Sequence, residues 1–302
     1  MNLRNLGSDK LMNKKIVFLI PTLSMGGGER VVSDLSLGLP ESIEKIIVLF
    51  KSDIFYPYGG RLISLGMSLS NNFLFKIYYF LKGLYLFKKI VRKENPDNII
   101  TFGFPADLMG LLSSPSKTLI GAHSLWSKSH GGLMEKNIIK LFFNKSKKII
   151  CVSKTVAEDL ADNFGIKKEK IKIISNPVDV ERIQKQAEYP IEPEHQEIFR
   201  NPVIITMGRL SEEKNYGSLI KSFKDIKNKI RTAKLVFLGD GEKGAFLKQI
   251  TKDLNIEDEV YFLGRQENPF KFLARAKIFV LFSLREGLPC SILEAMACGI
   301  PV

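Results

Sequence analysis

A chain of 302 residues, 45% hydrophobic and 25% charged, has the make-up of a globular protein with room for two ordinary domains, which excludes a fibrous or low-complexity chain. Its three cysteines, Cys151, Cys290 and Cys298, are odd in number and form no C-x-x-C pair, so a reducing compartment and no disulfide framework are expected. The net charge is +13, and 26 Lys and Arg against 15 Asp and Glu in residues 1–180 place a surplus of 11 in the first part of the chain. That suits an anionic partner such as a membrane surface or a lipid-linked phosphate; nucleic acid lacks a supporting motif.

Residues 1–13 form a polar tail without a pattern. Lys14-Lys15-Ile16-Val17-Phe18-Leu19-Ile20 imitates the start of a signal peptide, but Pro21 breaks it and no small-residue cleavage site follows, so a first strand is predicted over 15–20. Three glycines open a helix over 26–39. A strand follows over 44–50, then a long helix over 71–93 that Asn95-Pro96 ends. Strands over 98–102, 117–122 and 148–152 are each followed by a helix, and a further strand covers 170–175. This alternation predicts a parallel sheet covered on both faces. The rhythm breaks at Asn176-Pro177-Val178-Asp179, and a polar, acidic stretch follows. A second series then runs strand 203–207, helix 216–230, strand 234–238, helix 244–254, strand 259–263, helix 268–274, strand 277–281, helix 289–297. The expected organisation is an α/β domain over 14–180, a linker over 181–201 and a second α/β domain over 202–302, with a ligand cleft at the carboxyl ends of the strands. No uncharged apolar stretch approaches the roughly 20 residues of a membrane span.

The stretch Phe282-Ser283-Leu284-Arg285-Glu286-Gly287-Leu288-Pro289-Cys290-Ser291-Ile292-Leu293-Glu294 leaves the last long apolar run and turns into a helix. Pro289 suits the first helical position, where its missing N–H costs nothing, and Gly287 leaves the backbone open to a ligand at the helix start. The amides there favour an anion such as phosphate. Glu286 and Glu294 bracket this point; two solvated glutamates on a capped surface helix and bidentate capture of sugar hydroxyls are both open on spacing alone. Arg209 and Lys214, on the loop after the first strand of the second series, carry the positive charge that a diphosphate beside those acids requires, or else form a solvated basic loop.

In the first half, Gly26-Gly27-Gly28 after the first strand allows close approach to a phosphate, or is a flexible turn; it is neither G-x-G-x-x-G nor the Lys-bearing P-loop. His123, at a strand end, suits a hydrogen bond to a substrate hydroxyl, the alternative being a satisfied structural side chain. Lys82, Lys89 and Lys93 fall on one face of the 71–93 helix, which holds seven aromatic residues and no acid. An interfacial helix on anionic lipid and a sheet-covering helix with a solvated basic face are compatible readings of it. No Asp-x-Asp is present to clamp a metal–nucleotide pair, three histidines with one in the linker make a His₃ metal site a poor fit, and no G-x-S-x-G supports a covalent hydrolase.

The run Gly208-Arg209-Leu210 with Glu213-Lys214-Asn215, the run Glu286 to Glu294-Ala295-Met296-Ala297-Cys298-Gly299-Ile300-Pro301-Val302, the opening Pro21-Thr22-Leu23 with Gly26-Gly27-Gly28-Glu29-Arg30, and Val152-Ser153-Lys154 together resemble the group 1 (family 4) retaining glycosyltransferases. The resemblance extends from about Lys14 to the last residue. It implies a GT-B fold: two Rossmann-like domains facing across a cleft, the first on the acceptor side and the second binding a nucleotide-sugar. By that analogy Arg209 and Lys214 hold the donor diphosphate with the backbone of Gly287 and Leu288, and Gly27 approaches it. Glu286 contacts the donor sugar, Glu294 the nucleotide ribose, and His123 lies near the transferred sugar. No essential metal or other cofactor is expected. The expected reaction moves a sugar, from a UDP-sugar, to a lipid-linked or polysaccharide acceptor in cell-surface glycan synthesis. The expected place is peripheral, on the cytoplasmic face of the plasma membrane, with Lys82, Lys89 and Lys93 toward it. Family members continue past the Gly-Ile-Pro-Val strand, so a C-terminally truncated second domain, with weaker stability and reduced turnover, is expected. A non-catalytic nucleotide-sugar-binding remnant and a sugar-nucleotide epimerase are the alternatives.

Overall fold

The computed structural model describes residues 14–67, 73–128 and 132–302. The polar tail, the expected helix start at Asn71 and Asn72, and His130 lie outside them. The chain forms two compact units that divide between Pro177 and Val178.

In the first unit the elements are β1 (Lys15–Ile20), α1 (Gly27–Gly38), β2 (Glu44–Leu49), β3 (Arg61–Ser64), α2 (Phe73–Glu94), β4 (Asn98–Phe102), α3 (Phe104–Ser113), β5 (Thr118–Ala122), α4 (Leu133–Phe143), β6 (Lys148–Cys151), α5 (Lys154–Phe164) and β7 (Ile171–Ile173). All seven strands are parallel, in the order β3-β2-β1-β4-β5-β6-β7. Strands buried on both faces need side chains that are apolar in either direction, which is why they read as unbroken Val/Ile/Leu/Phe runs. Val17, Leu19, Ile46, Val48 and Ile99 pack on one side against Phe87 of α2 and Ala106 and Met109 of α3. Their neighbours Phe18, Ile20, Ile47 and Leu49 point the other way and are equally buried. β3 was not expected from the sequence. It is a four-residue edge strand with no residue fully buried, so the apolar run that announces the inner strands is missing.

The second unit contains α6 (Val180–Ala187), α7 (Pro193–Phe199), β8 (Val203–Met207), α8 (Tyr216–Lys229), β9 (Lys234–Leu238), α9 (Gly244–Asp253), β10 (Val260–Phe262), α10 (Phe270–Leu273), β11 (Ile278–Phe279) and α11 (Cys290–Ala297). Its four strands are parallel, in the order β10-β9-β8-β11. Val203, Ile205, Val236, Leu238 and Phe279 face a core closed by α6, α7, α10 and α11. Ile204, Leu235, Phe237 and Val260 face the core under α8 and α9. The residues expected as a linker, 181–201, carry most of α6 and all of α7, and their Ile183, Ile191 and Ile198 are buried in this unit. An acidic surface concealed three isoleucines that anchor the segment. β11 has two residues where five were expected; Phe279 N–H donates to the carbonyl of Pro301 at 2.9 Å. Pro289 is the N-cap of α11, with extended backbone, and the first helical residue is Cys290, one later than expected.

Candidate functional site

In an open parallel sheet a ligand binds beyond the carboxyl ends of the strands, where the order of connections reverses. In the first unit that point lies between β1 and β4. A pocket of about 250 Å³ opens there, lined by Ile20 at the end of β1, Phe102 at the end of β4, Gly121 in β5, and Glu29, His123 and Trp126. His123 stacks on Phe102, ring centroids 5.1 Å apart. Gly121 makes room for it: a Cβ at that position would stand 2.9 Å from His123 Nε2 and 3.1 Å from the Phe102 ring. Burial pushes the His123 imidazole down to about 4, against a hydrogen bond to Asn176 that pulls upward, so the ring is neutral at pH 7. Its Nδ1 is buried without a hydrogen-bond partner among the described residues. A neutral imidazole can exchange hydrogen bonds with a hydroxyl but supplies no cation to a phosphate.

Gly27 begins α1, and a Cβ built on it would meet nothing within 4 Å, so the space over its backbone is open. The helix is capped by Gly26, which offers no side-chain cap. Glu29, in the first turn, folds back over that cap, where a Cβ on Gly26 would stand 2.2 Å from its Oε2. A carboxylate there is favoured by the positive end of the helix dipole. Thus an acid stands over the cap of the glycine loop, for which close approach of a phosphate and a flexible turn were both open in the sequence.

In the core of the same unit lies a residue that sequence reasoning missed. Asp107, in the first turn of α3, has no exposed surface. Thr101 Oγ1 donates to its Oδ1 at 2.5 Å, while its Oδ2 is buried without a partner among the described residues. Burial pushes the carboxyl up to about 8, so it is largely protonated at pH 7. A lone acid inside the apolar stretch Phe104-Pro105-Ala106-Asp107-Leu108-Met109 was the available signal.

On α2, Lys82, Lys89 and Lys93 are exposed as their spacing predicted. The same face is not purely polar, because Phe75, Tyr78, Leu81 and Tyr85 are each more than half exposed. Lys89 Nζ lies 5.4 Å from the centre of the Tyr85 ring. Phe87, Leu84 and Ile90 on the other side pack on the sheet. No helix among the described residues is long and apolar enough to cross a membrane.

The second unit has its reversal between β8 and β11. The loop after β8 carries Arg209 and Lys214, and the chain after β11 carries Glu286. These two segments are joined twice. Leu284 N–H donates to the carbonyl of Glu213 at 2.9 Å, and Lys214 Nζ stands 2.6 Å from Glu286 Oε1. Both side chains of the pair are partly buried, at 17% and 27% exposure. Arg209 is exposed on the same loop; against its burial, the Glu213 carboxyl is lowered by a backbone hydrogen bond and one from Ser211, and less by the charges of Lys214 and Arg209. Gly287 and Leu288 form the turn into α11, and Glu294, on that helix, is 7% exposed.

A second element missed from the sequence supports the loop. Gly208 and Gly239 cross so closely that a Cβ on Gly239 would stand 2.1 Å from the Gly208 carbonyl oxygen, and Gly239 has φ +140°. Gly208 N–H donates to Leu238 at 3.0 Å, Leu210 N–H donates to Asp240 at 3.0 Å, and Lys243 N–H donates back to Leu210 at 2.9 Å. Gly239-Asp240-Gly241, directly after a strand, was the signal for this turn.

The family model for glycosyltransferase family 4 matches residues 25–182, and that for glycosyl transferases group 1 matches residues 190–302. An uncharacterized glycosyltransferase of Methanocaldococcus jannaschii is 34% identical over 237 residues, which is 74% of this chain and 58% of that relative. The chain therefore spans little more than half of that relative's length. The N-acetylgalactosamine-N,N'-diacetylbacillosaminyl-diphospho-undecaprenol 4-alpha-N-acetylgalactosaminyltransferase of Campylobacter jejuni is 29% identical over 301 residues, 96% of this chain and 80% of the relative. Among solved structures, Anabaena HepE in complex with UDP and glucose superimposes with a TM-score of 0.75 at 20% identity, over 96% of this chain and 80% of HepE. At that identity the likeness carries the fold alone, and the fold is the expected GT-B class with two Rossmann-like α/β units. Because the family 4 model alone matches more than half of the sequence, the chain belongs to glycosyltransferase family 4.

Proposed function

We propose that this chain transfers a sugar from a UDP-sugar to a lipid-linked or polysaccharide acceptor in cell-surface glycan synthesis, with retention of anomeric configuration. The observation that carries the proposal is the Lys214–Glu286 contact of 2.6 Å at the reversal point of the second sheet, with Arg209 on the same loop. Cations on a glycine-braced loop offset the charge that grows on a departing diphosphate, and they do so without reorganising. A carboxylate beside them accepts hydrogen bonds from sugar hydroxyls. In this reading Arg209 and Lys214 hold the diphosphate together with the amides of Gly287 and Leu288. Glu286 takes the donor sugar, Glu294 the ribose, and residues 202–302 form the donor-binding domain. On the acceptor-side domain, Gly27 approaches the phosphate and His123 the transferred sugar. The anomeric carbon–oxygen bond to the phosphate breaks as the acceptor oxygen attacks from the same face, and the acceptor's proton passes to the departing phosphate oxygen. The donor assignment is supported by HepE, whose structure holds UDP and glucose. The acceptor assignment is supported by the Campylobacter jejuni relative, named for a diphospho-undecaprenol substrate.

The same reading places the protein at the cytoplasmic membrane face. Aromatic rings and lysines share the exposed side of α2, and that combination suits the boundary between anionic headgroups and acyl chains. The test is incubation of the protein with a panel of UDP- and GDP-sugars and extracted lipid-linked acceptors, read by mass spectrometry. One added sugar residue is expected with one of the UDP-sugars, and Arg209→Ala and Glu286→Ala should each lower the rate by about 10²-fold or more. Near wild-type rates in both variants would refute the site.

A further inference from the structure

The Lys214–Glu286 pair raises a question that catalysis alone leaves open. A carboxylate on the cation that binds a diphosphate weakens that cation for its ligand, and its own charge repels the ligand. The pair is held in place by the fold. The two segments are tied through the Leu284–Glu213 backbone hydrogen bond, and the Lys214 stem runs against Gly208, where a Cβ would stand 3.4 Å from Lys214 Cε. The backbone tie keeps the segments that carry Lys214 and Glu286 side by side.

The cost of Glu286 differs between the two ligands the site must handle. An intact nucleotide-sugar has hydroxyls that donate to the carboxylate and compensate it. Its terminal phosphate is also an ester, with one ionisable oxygen. The spent nucleoside diphosphate has no sugar hydroxyls, and its freed terminal phosphate gains a further negative charge near neutral pH, as phosphate monoesters do with a second pKa of about 6. Glu286 is thus compensated by the donor and uncompensated, against a larger charge, by the product.

We propose that Glu286, through its ion pair with Lys214, sets the preference of this site for the intact nucleotide-sugar over the spent nucleoside diphosphate, and so speeds product release. The inference rests on the reading of Arg209 and Lys214 as the diphosphate-binding groups. UDP, with GDP in parallel, is titrated by calorimetry into the full chain and into Glu286→Gln, Lys214→Met and the double variant, each checked for its thermal melt. Glu286→Gln should bind UDP about tenfold more tightly than wild type, the worth of about one charge-assisted hydrogen bond in a partly exposed setting. Lys214→Met should weaken UDP binding, and in its background Glu286→Gln should bring a clearly smaller gain, the part that relief of charge repulsion alone gives. Unchanged or weaker UDP binding in Glu286→Gln, with Lys214→Met impaired, overturns this inference and leaves the diphosphate site standing. An equal gain in both backgrounds overturns the ion-pair route, since repulsion alone would then account for it. Normal UDP binding in Lys214→Met overturns the diphosphate site itself.

Discussion

Replacing Asp107 by Asn should change how the stability of the first unit depends on pH. The carboxyl is without exposed surface, accepts a short hydrogen bond from Thr101, and leaves Oδ2 unpaired among the described residues. Burial holds it at about 8 when folded, against about 3.9 for an unfolded aspartate. A carboxyl raised in this way binds more protons in the folded state between those values. Its neutral form supports the fold fully below about pH 4, and that support is lost as pH rises through about 8. The slope reaches about 1.4 kcal/mol per pH unit inside that window. Asparagine has the same shape and no charge to bury, but its amide meets no acceptor at the Oδ2 position, a cost of about 1–3 kcal/mol. Asp107→Asn should therefore be the less stable protein near pH 5 and gain steadily on wild type up to pH 8. Urea unfolding at a series of pH values measures this, followed by fluorescence of Trp126. It is the single tryptophan, buried in the same unit against Phe104 and Phe143, so the probe reports the unit that holds Asp107. A stability difference that stays flat from pH 5 to 8 would refute the buried neutral acid.

Gly239→Ala should push the Gly208 carbonyl aside, because the added methyl meets backbone and the φ is unfavourable for alanine; a lower melting temperature and weaker UDP binding are expected, and unaltered UDP affinity would contradict the bracing role of this turn. Charge reversal of Lys82, Lys89 and Lys93 to Glu should abolish flotation with anionic liposomes, while wild type floats and releases at high salt; equal flotation of both proteins would refute the α2 membrane face. The His123 ring should titrate near 4 by NMR, and a midpoint near 6.5 would show that the imidazole is less buried than the structure has it.

Most of the fold was legible because parallel strands buried on both faces leave unbroken apolar runs, as in Lys15–Ile20 and Lys234–Leu238. β3 was not, since an edge strand of Arg61–Ser64 has too few apolar residues to stand out. The α6–α7 segment was misread because its charges outnumber its anchors: Ile183, Ile191 and Ile198 lie far apart in an acidic stretch, and only tertiary packing shows that they meet one core. At the site, Lys214 and Glu286 were legible as charges at strand ends, but 72 residues separate them and their contact follows from β8 and β11 being neighbours. Asp107 and the Gly239–Gly241 turn were missed for opposite reasons. A single acid in an apolar helix has no period, and a glycine turn has meaning only through the backbone it lets approach.

The two reversal points share an electrostatic design. In the first unit Glu29 folds over the start of α1, and in the second Glu286 stands on Lys214. In both, a carboxylate faces the positive group that suits a phosphate. A helix N-terminus or a lysine–arginine loop without such a partner concentrates like charge, and the loop is then free to collapse elsewhere or to bind any anion. The acid holds the positive group in position at little cost in flexibility and lowers its affinity for simple anions. If these groups bind a phosphate as proposed, hydroxyls carried next to that phosphate would satisfy the carboxylate. On the proposed reading of these residues, Glu29 and Glu286 would favour a phosphate joined to a sugar over a simple anion, and selectivity should fall before stability when either is neutralised.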